Sequence, residues 1–335
     1  GLERWQITPL DRLAYMGHRG MGALEYQPEI LPDDDVGVLD LADLAAQSER
    51  ILSGETTEVI EALRIHGGSP GGARPKVTVA FSADKSICQS GFGELPEGYA
   101  HWIVKFRNDG PGADPVDMGR QEMAYAEMAG QAGLDMPETA LIELTVKQQK
   151  EAFFAVKRFD RYRNRKIHFL SLSGYAYASH RVPCLDYGSG VLAATRKLTQ
   201  SDMEVAKAFR LMVFNVLAHN KDDHAKNFAY LRDGLGGLGG LVGQWRFAPA
   251  FDLTFNYGMN DNHTTSIHGK GNPTYADLKA LAASARVSGW EMIVDEVRAA
   301  ISQWPALAAK HGLNKTRAGE INVALKAIDA RCSRG

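Results

Sequence analysis

The sequence predicts an α+β protein of two lobes, a sheet-containing N-lobe over residues 1–158 and a mainly helical C-lobe over residues 159–335. Apolar runs of strand length recur at 77–81, 101–106, 139–145 and 152–158. Beyond residue 200 the apolar positions return instead at helical spacing, as in Val205, Phe209, Met212, Val213, Val216 and Leu217. Between the two patterns polarity jumps at Phe159-Asp160-Arg161-Tyr162-Arg163, a short polar crossing. A chain of 335 residues, 44% hydrophobic and 23% charged, can bury one large core or two modest ones.

Composition narrows the function classes. Lys+Arg 38 against Asp+Glu 40 leaves a formal charge of -2 with no long basic run, so neither direct nucleic-acid binding nor membrane-surface binding is indicated. Cys88, Cys184 and Cys332 are isolated and odd in number, which argues against a disulfide framework or structural zinc and for a reducing compartment. No apolar run reaches the roughly 18 residues of a membrane span, and no signal-peptide pattern opens the chain, so a cytoplasmic location is expected. The first residues are Gly1-Leu2 rather than Met, as in a processed chain or a fragment.

Residues 10–16 form a short amphipathic segment, 17–22 a glycine-rich turn, and 23–26 a candidate strand. Asp33, Asp34 and Asp35 read as a solvated turn. Helices are expected over 39–54 and 55–65, with Ser53 and Thr56 as cap and turn residues. Next, Gly67-Gly68-Ser69-Pro70-Gly71-Gly72-Ala73-Arg74-Pro75-Lys76 feeds the strand 77–81. Backbone N–H groups of such a loop can approach phosphates unobstructed, and Lys76 adds charge. The loop fits neither the Walker pattern nor Gly-x-Gly-x-x-Gly, and a plain surface turn stiffened by Pro70 and Pro75 is the alternative.

The strand at 101–106 embeds Lys105 among apolar residues. A buried ammonium needs a partner, and Glu122, early in a helix running to about Ala132 and closed by Gly133, is a candidate. Strand lysine then helix glutamate is the order kinases use to hold ATP phosphates. Alternatively Lys105 snorkels from a sheet edge and Glu122 caps its own helix. Arg158 and Asp160 at the crossing could form a structural ion pair.

Ser201 and Glu204 read as a capping box opening a buried helix that runs into His219-Asn220-Lys221-Asp222-Asp223-His224-Ala225-Lys226-Asn227. Asp222 and Asn227 have the Asp-x-x-x-x-Asn spacing by which kinases place a catalytic carboxylate and a metal-binding amide on one loop. The pair alone is weak, because Asn falls at any chosen offset about one time in twenty. Strands at 227–231 and 244–248, joined by a glycine-rich segment, lead to Phe251-Asp252-Leu253, where Asp252 could supply a second metal carboxylate. His219, Asp222, Asp223 and His224 are dense enough for a transition-metal phosphodiesterase, or else include hydrogen-bonded supports, Asp223 among them. His263, Ser266, His268 and Lys270 lie in a polar stretch before a helix starting near Thr274, either a plain loop or a substrate mouth. Helices over 290–304, ended by Pro305, and 318–330 read as core.

The order of glycine-rich loop, strand lysine, helix glutamate, crossing, Asp-x-x-x-x-Asn and second Asp resembles the HipA family, bacterial serine/threonine kinases that act as toxins of toxin–antitoxin pairs. The segments that carry the resemblance are Ser69 to Lys76, Trp102 to Phe106, Val156 to Arg161, Asp222 to Phe228 and Ala248 to Asp252. The Asp-x-His-Ala-Lys-Asn-Phe and Arg-Phe-Asp-Arg pieces are specific to that family. The resemblance implies a protein-kinase-like two-lobed fold using ATP and Mg²⁺. Asp222 would be the catalytic base, and Asn227 and Asp252 the metal ligands. Lys105 would hold the phosphates with Glu122 near it, and Gly71, Gly72, Ala73, Arg74, Pro75 and Lys76 would contact them. Backbone groups of Lys157, Arg158 and Phe159 would bind adenine, and His224, Ala225, Lys226, Asn227, Phe251 and Asp252 would complete the ATP site. Ser69 matches an autophosphorylated serine that shuts the kinase off.

Implied partners are a protein substrate such as an aminoacyl-tRNA synthetase and a HipB-like DNA-binding antitoxin. The sequence departs from the family in three ways. It reads as starting part-way into the pattern, which puts a conventional antitoxin complex in question, Pro70 follows Ser69 where an aliphatic residue is commoner, and Lys157 stands where glutamate is common. A small-molecule phosphotransferase shares the Asp-x-x-x-x-Asn and second Asp, and a catalytically idle kinase-fold binding module is the non-enzyme alternative.

Overall fold

A computed structural model describes residues 7–30, 38–52, 74–108, 113–146, 148–179, 185–234 and 243–333. The expected helix at 55–65, Ser53, Thr56, Ser69, Gly71, Gly72, Ala73 and Cys184 lie outside the described residues. No helix among the described residues is long and apolar enough to cross a membrane.

The chain forms two units, Gly1–Gly119 with Glu138–His168, and Arg120–Pro137 with Phe169–Gly335. This division differs from a break after residue 158. Asp160 and the hairpin that follows it bond back into the first unit, and the helix carrying Glu122 packs its Tyr125, Met128 and Ala129 into the second unit's core.

The first unit opens with α1 (Pro9–Met16), whose Thr8 and Asp11 satisfy each other's backbone in a capping box. The helix α2 (Leu41–Leu52) covers a five-stranded antiparallel sheet. Its strands are β1 (Lys76–Phe81), β2 (Cys88–Ser90), β3 (Ala100–Lys105), β4 (Thr139–Val146) and β5 (Gln149–Lys157), in the order β2-β1-β3-β5-β4. Side chains alternate between faces along each strand. Val77, Val79, Phe81, Trp102, Val104, Phe153 and Ala155 point into one core with Leu41, Leu44 and Ala45, where Phe81 meets Trp102 edge-on at 5.9 Å. The register pairs Lys76 with Lys105 and Thr78 with Ile103, placing Lys76, Thr78, Ile103 and Lys105 together on the opposite face.

The strand expected at 23–26 does not form. The segment is held instead by Tyr26 N–H donating to Gly17 O and by Lys166 reaching Glu25, with the preceding Gly22 N–H donating to Asp160. A small hairpin, β6 (Arg161–Tyr162) and β7 (Arg165–Lys166), turns at Arg163 with φ +53.

The second unit begins at Arg120, within α3 (Met118–Gln131). It continues through β8 (His168–Ser171), α4 (Leu172–Ala176), β9 (Leu185–Asp186), a π-helical turn Tyr187–Leu192, α5 (Ala193–Thr199) and α6 (Asp202–Leu217). The strands β10 (Ala229–Arg232) and β11 (Trp245–Phe247) pair antiparallel beside β8, and β12 (Thr265–Ser266) pairs parallel with β9. Four helices close the chain, α7 (Tyr275–Ser284), α8 (Trp290–Ser302), α9 (Trp304–Lys310) and α10 (Lys315–Arg331).

The core gathers around α6, whose Phe209, Met212, Val213, Phe214 and Val216 are fully buried. Trp304 stacks edge-on against Tyr125 at 5.3 Å. Two details differ from the sequence reading. The Ser201 hydroxyl caps Glu204 N–H, but the Glu204 carboxylate accepts from Phe247 N at 2.6 Å instead of closing a box. Pro305 does not terminate α8, which stops at Ser302; it sits in the first turn of α9, where its missing N–H is harmless.

Candidate active site

The loop after α6 leaves a rigid support. The α6 backbone ends at Ala218, whose carbonyl accepts from the Tyr125 hydroxyl of α3 at 2.7 Å. His219 then takes φ +56, a left-handed conformation that a non-glycine residue holds only when its surroundings impose it. Those surroundings are Phe255, stacked on the imidazole at 4.6 Å, and Asn256, whose carbonyl bonds Nδ1 at 2.9 Å. Burial lowers the pKa of His219.

A buried hydrogen-bond chain runs beneath the loop. Asn220 donates to Asn215 at 2.9 Å, Asn215 to the Tyr187 hydroxyl at 3.1 Å, and Tyr187 to Asp223 at 2.6 Å. Asp223, with no exposed surface, also accepts from His263 Nδ1 at 2.8 Å, Thr264 N at 2.8 Å and Thr265 N at 3.2 Å. Asp223 is thus a support, as its neighbours in sequence suggest. His263, which the sequence places in a polar stretch read as a plain loop or a substrate mouth, is buried against it.

Between these anchored residues Asp222 is exposed. Its carbonyl accepts from Asn227 Nδ2 at 2.8 Å, so the amide oxygen is the atom Asn227 has left to offer a cation. The one-turn 3₁₀ helix Ala225–Asn227 separates the two, with Ala225 buried, His224 half-buried and Lys226 exposed. Asp252 is half-buried at φ +59, and Phe251 before it lies 6.3 Å from the Phe169 ring. The segment following Asp252 is tied to α3, where Gln121 donates to the Thr254 hydroxyl at 2.8 Å and accepts from Arg317 at 3.1 Å. That fixes the helix register beside Glu122, which is buried.

Asn227 and Asp252 both belong to the second unit, and their side-chain oxygens are hard donors, of the kind that suits Mg²⁺ rather than a transition metal. No group of three His, Cys, Asp or Glu able to hold a metal occurs among the described residues.

In the first unit, Lys76 and Lys105 stand directly opposite in the β1–β3 register. Like charges so placed repel. Lys105 also lies over the Phe154 ring at 5.5 Å. Arg74 pairs with Asp114 at 3.0 Å, and Pro75 accepts Phe106 N–H through its carbonyl. The side chain of Lys157 bonds Glu138 at 3.0 Å, and the N–H groups of Lys157 and Arg158 donate to Glu138 O and His101 O. The Arg158 side chain is consumed by Asp160. Phe159 is half-buried.

Replacing Asp223 by Asn keeps one acceptor, but the new NH₂ must face either the Thr264 and Thr265 N–H groups, which can only donate, or the Tyr187 hydroxyl and His263 ring, whose bonds would have to reverse. Asp223→Asn is expected to lower stability by about 1–3 kcal/mol, read as a lower urea midpoint at constant slope. An unchanged midpoint would refute the support role.

A family model described as the HipA-like C-terminal domain matches residues 68–304. Y4dM of Sinorhizobium fredii, whose name proposes a kinase, is 26% identical over 255 residues, 69% of this chain and 58% of that protein. The chain thus spans somewhat over half the length of that curated relative. Among solved structures, the HipA, HipB and operator DNA complex of Shewanella oneidensis MR-1 matches with a TM-score of 0.61 at 14% identity, covering 93% of this chain and 75% of that one. At that identity the likeness is one of fold, a protein-kinase-like two-lobed α+β architecture. The proinflammatory kinase CtkA of Helicobacter pylori matches at a TM-score of 0.45 with 13% identity over 70% of this chain.

Proposed function

Because the chain belongs to the HipA-like C-terminal domain family, we propose that it is an ATP- and Mg²⁺-dependent serine/threonine protein kinase of HipA type. The observation that supports this best is Asp222 itself, exposed on a loop whose neighbours Asn220, Lys221 and Asp223 are all buried and hydrogen-bonded. Asp222 orients a substrate hydroxyl and accepts its proton as the oxygen attacks the γ-phosphorus, while the bond to the β,γ-bridging oxygen breaks and ADP leaves. Asn227 and Asp252 would hold Mg²⁺, which when bound supplies positive charge against that developing on the transferred group. Lys105 and Lys76 would bind the phosphates, with Glu122 as the acidic counterpart of Lys105 and residues 71–75 contributing loop contacts.

Adenine would meet the crossing at Lys157 to Phe159, where two of the N–H groups are already engaged and the carbonyls carry the recognition. The substrate is proposed to be a translation component such as an aminoacyl-tRNA synthetase. Ser69 is proposed as an inhibitory autophosphorylation site. A HipB-like antitoxin is the proposed partner, supported by the likeness to the HipA of the HipA–HipB–DNA complex.

The test is incubation with γ-labelled ATP and Mg²⁺, with labelled residues mapped by mass spectrometry. Label on serine or threonine is expected. Lys105→Met should reduce kcat/KM for ATP at least about 30-fold, near 2 kcal/mol, by removing a charged phosphate contact. Absence of both label and ATP binding by calorimetry would sink the kinase reading.

A further inference from the structure

We propose that the Lys221–Asp261 ion pair is a built-in lock that holds residues 252–272 in their working arrangement at Asp222, so that this segment needs no phosphorylation to become ordered. The inference rests on the kinase reading, since it assigns Lys221 and Asp261 a positioning role toward Asp222.

In many kinases the segment after the metal-binding Asp is disordered until a phosphate on it pairs with an arginine. Here Lys221, immediately before Asp222, is 1% exposed and uses all three of its donors on that segment. It gives 2.6 Å bonds to both the carbonyl and the carboxylate of Asp261 and a 3.1 Å bond to Asn272. Asn272 in turn donates to the Asp261 carbonyl at 2.8 Å.

The carboxylate is presented by a tight turn. Asn260 and Asp261 both take positive φ, +53 and +57, between the bridged residues Met259 and Asn262. This is the two-residue arrangement that Asn and Asp tolerate best. Gly258 lets the turn close on the lysine, because a Cβ there would lie 2.8 Å from Lys221 Cβ and 2.1 Å from Asn262 O. From the lysine's own backbone, Lys221 O receives Thr264 N–H at 3.1 Å and Lys221 N–H reaches Asn256 O.

The serine and threonine hydroxyls of the segment are already committed. Thr264 donates to Lys221 O, Thr265 to Asp223 O, Ser266 is within bonding distance of Leu185 O and Asp186, and Thr254 accepts from Gln121. Phosphorylating any of these four would break the order it is supposed to create. A carboxylate on the chain already occupies the place of the phosphate.

Asp261→Gly removes the carboxylate while keeping the positive φ, and Asp261→Asn keeps an acceptor without charge. Since the Asp261 side chain is 67% exposed and Lys221 keeps the residue-261 carbonyl and Asn272 as acceptors, both variants should fold, with Asp261→Gly less stable than wild type. In Asp261→Gly, kcat for phosphoryl transfer is expected to fall at least about 30-fold with KM for ATP within about threefold, and Asp261→Asn should lie between it and wild type. Phosphatase-treated wild type should keep its full rate. Wild-type kcat in Asp261→Gly, or activity lost on phosphatase treatment with phosphate mapped to 252–272, would overturn the lock.

Hydrogen exchange separates this from failure of the kinase reading. Faster exchange at Thr264 and Thr265 in Asp261→Gly supports the lock even if wild type transfers no phosphate, whereas unchanged exchange overturns it.

Discussion

Asp222→Asn is expected to slow phosphoryl transfer by about 10²–10⁴-fold, the usual contribution of a positioned general base. ATP affinity and melting temperature should stay close to wild type. The argument is geometric. The side chain is exposed, and the loop contact that residue 222 makes with Asn227 goes through its carbonyl, which the substitution leaves in place. The amide matches the carboxylate in size but cannot accept the hydroxyl proton. Loss of rate with retained binding is therefore the signature of a base, and single-turnover transfer beside calorimetric ATP binding reads it directly. A variant with wild-type rate would move the base elsewhere. The contrast with Asp223→Asn is diagnostic, since that neighbour is fully buried and should report in stability first.

Why the Asp222–Asn227 spacing is readable in the sequence and the distant partners of Asp223 and Lys221 are not follows from chain separation. Asp222 and Asn227 share one loop, so their spacing survives in the sequence as a pattern. Asp223 and His263 are 40 residues apart, and Lys221 and Asp261 likewise, so no local period connects them. The strands at 77–81, 101–106, 139–145 and 152–158 are legible because each alternates toward one core, and α6 because its apolar face is buried along its whole length.

Short elements escape for the opposite reason. Residues 23–26 have a strand's composition but no partner strand among the described residues; Tyr26 N–H goes to Gly17 O, Glu25 to Lys166, and Asp160 takes the N–H of the preceding Gly22. Pro305 reads as a terminator in sequence, yet a proline in a first turn starts a helix equally well, and only the end of α8 at Ser302 decides between the two.

The Arg-Phe-Asp-Arg motif leads to the second large effect. Asp160 is fully buried and accepts from Arg158 Nε at 2.9 Å, Arg158 Nη2 and Arg161 Nη1 at 2.8 Å, and Gly22 N at 2.7 Å. The guanidiniums continue to Gly20 O and Gly22 O, so the charges clamp the glycine turn at 17–22 onto the crossing. Asp160→Ala strands two cations in a dry site and should cost about 3–5 kcal/mol, whereas adding Arg158→Met to it should recover part of that loss.

The pH dependence has a definite sign. Burial pushes the Asp160 carboxyl up, but the charges of Arg158 and Arg161 and the Gly22 N–H overcome it and hold it at about 2. A carboxyl at about 3.9 in the unfolded chain binds protons first as pH falls, so the stabilisation is complete above about pH 4 and fades toward pH 2, by about 2–3 kcal/mol. Urea midpoints of wild type and Asp160→Ala should therefore converge over that window. Curves that stay parallel would mean that the carboxylate contributes through packing alone, and the clamp would then be a matter of shape rather than charge.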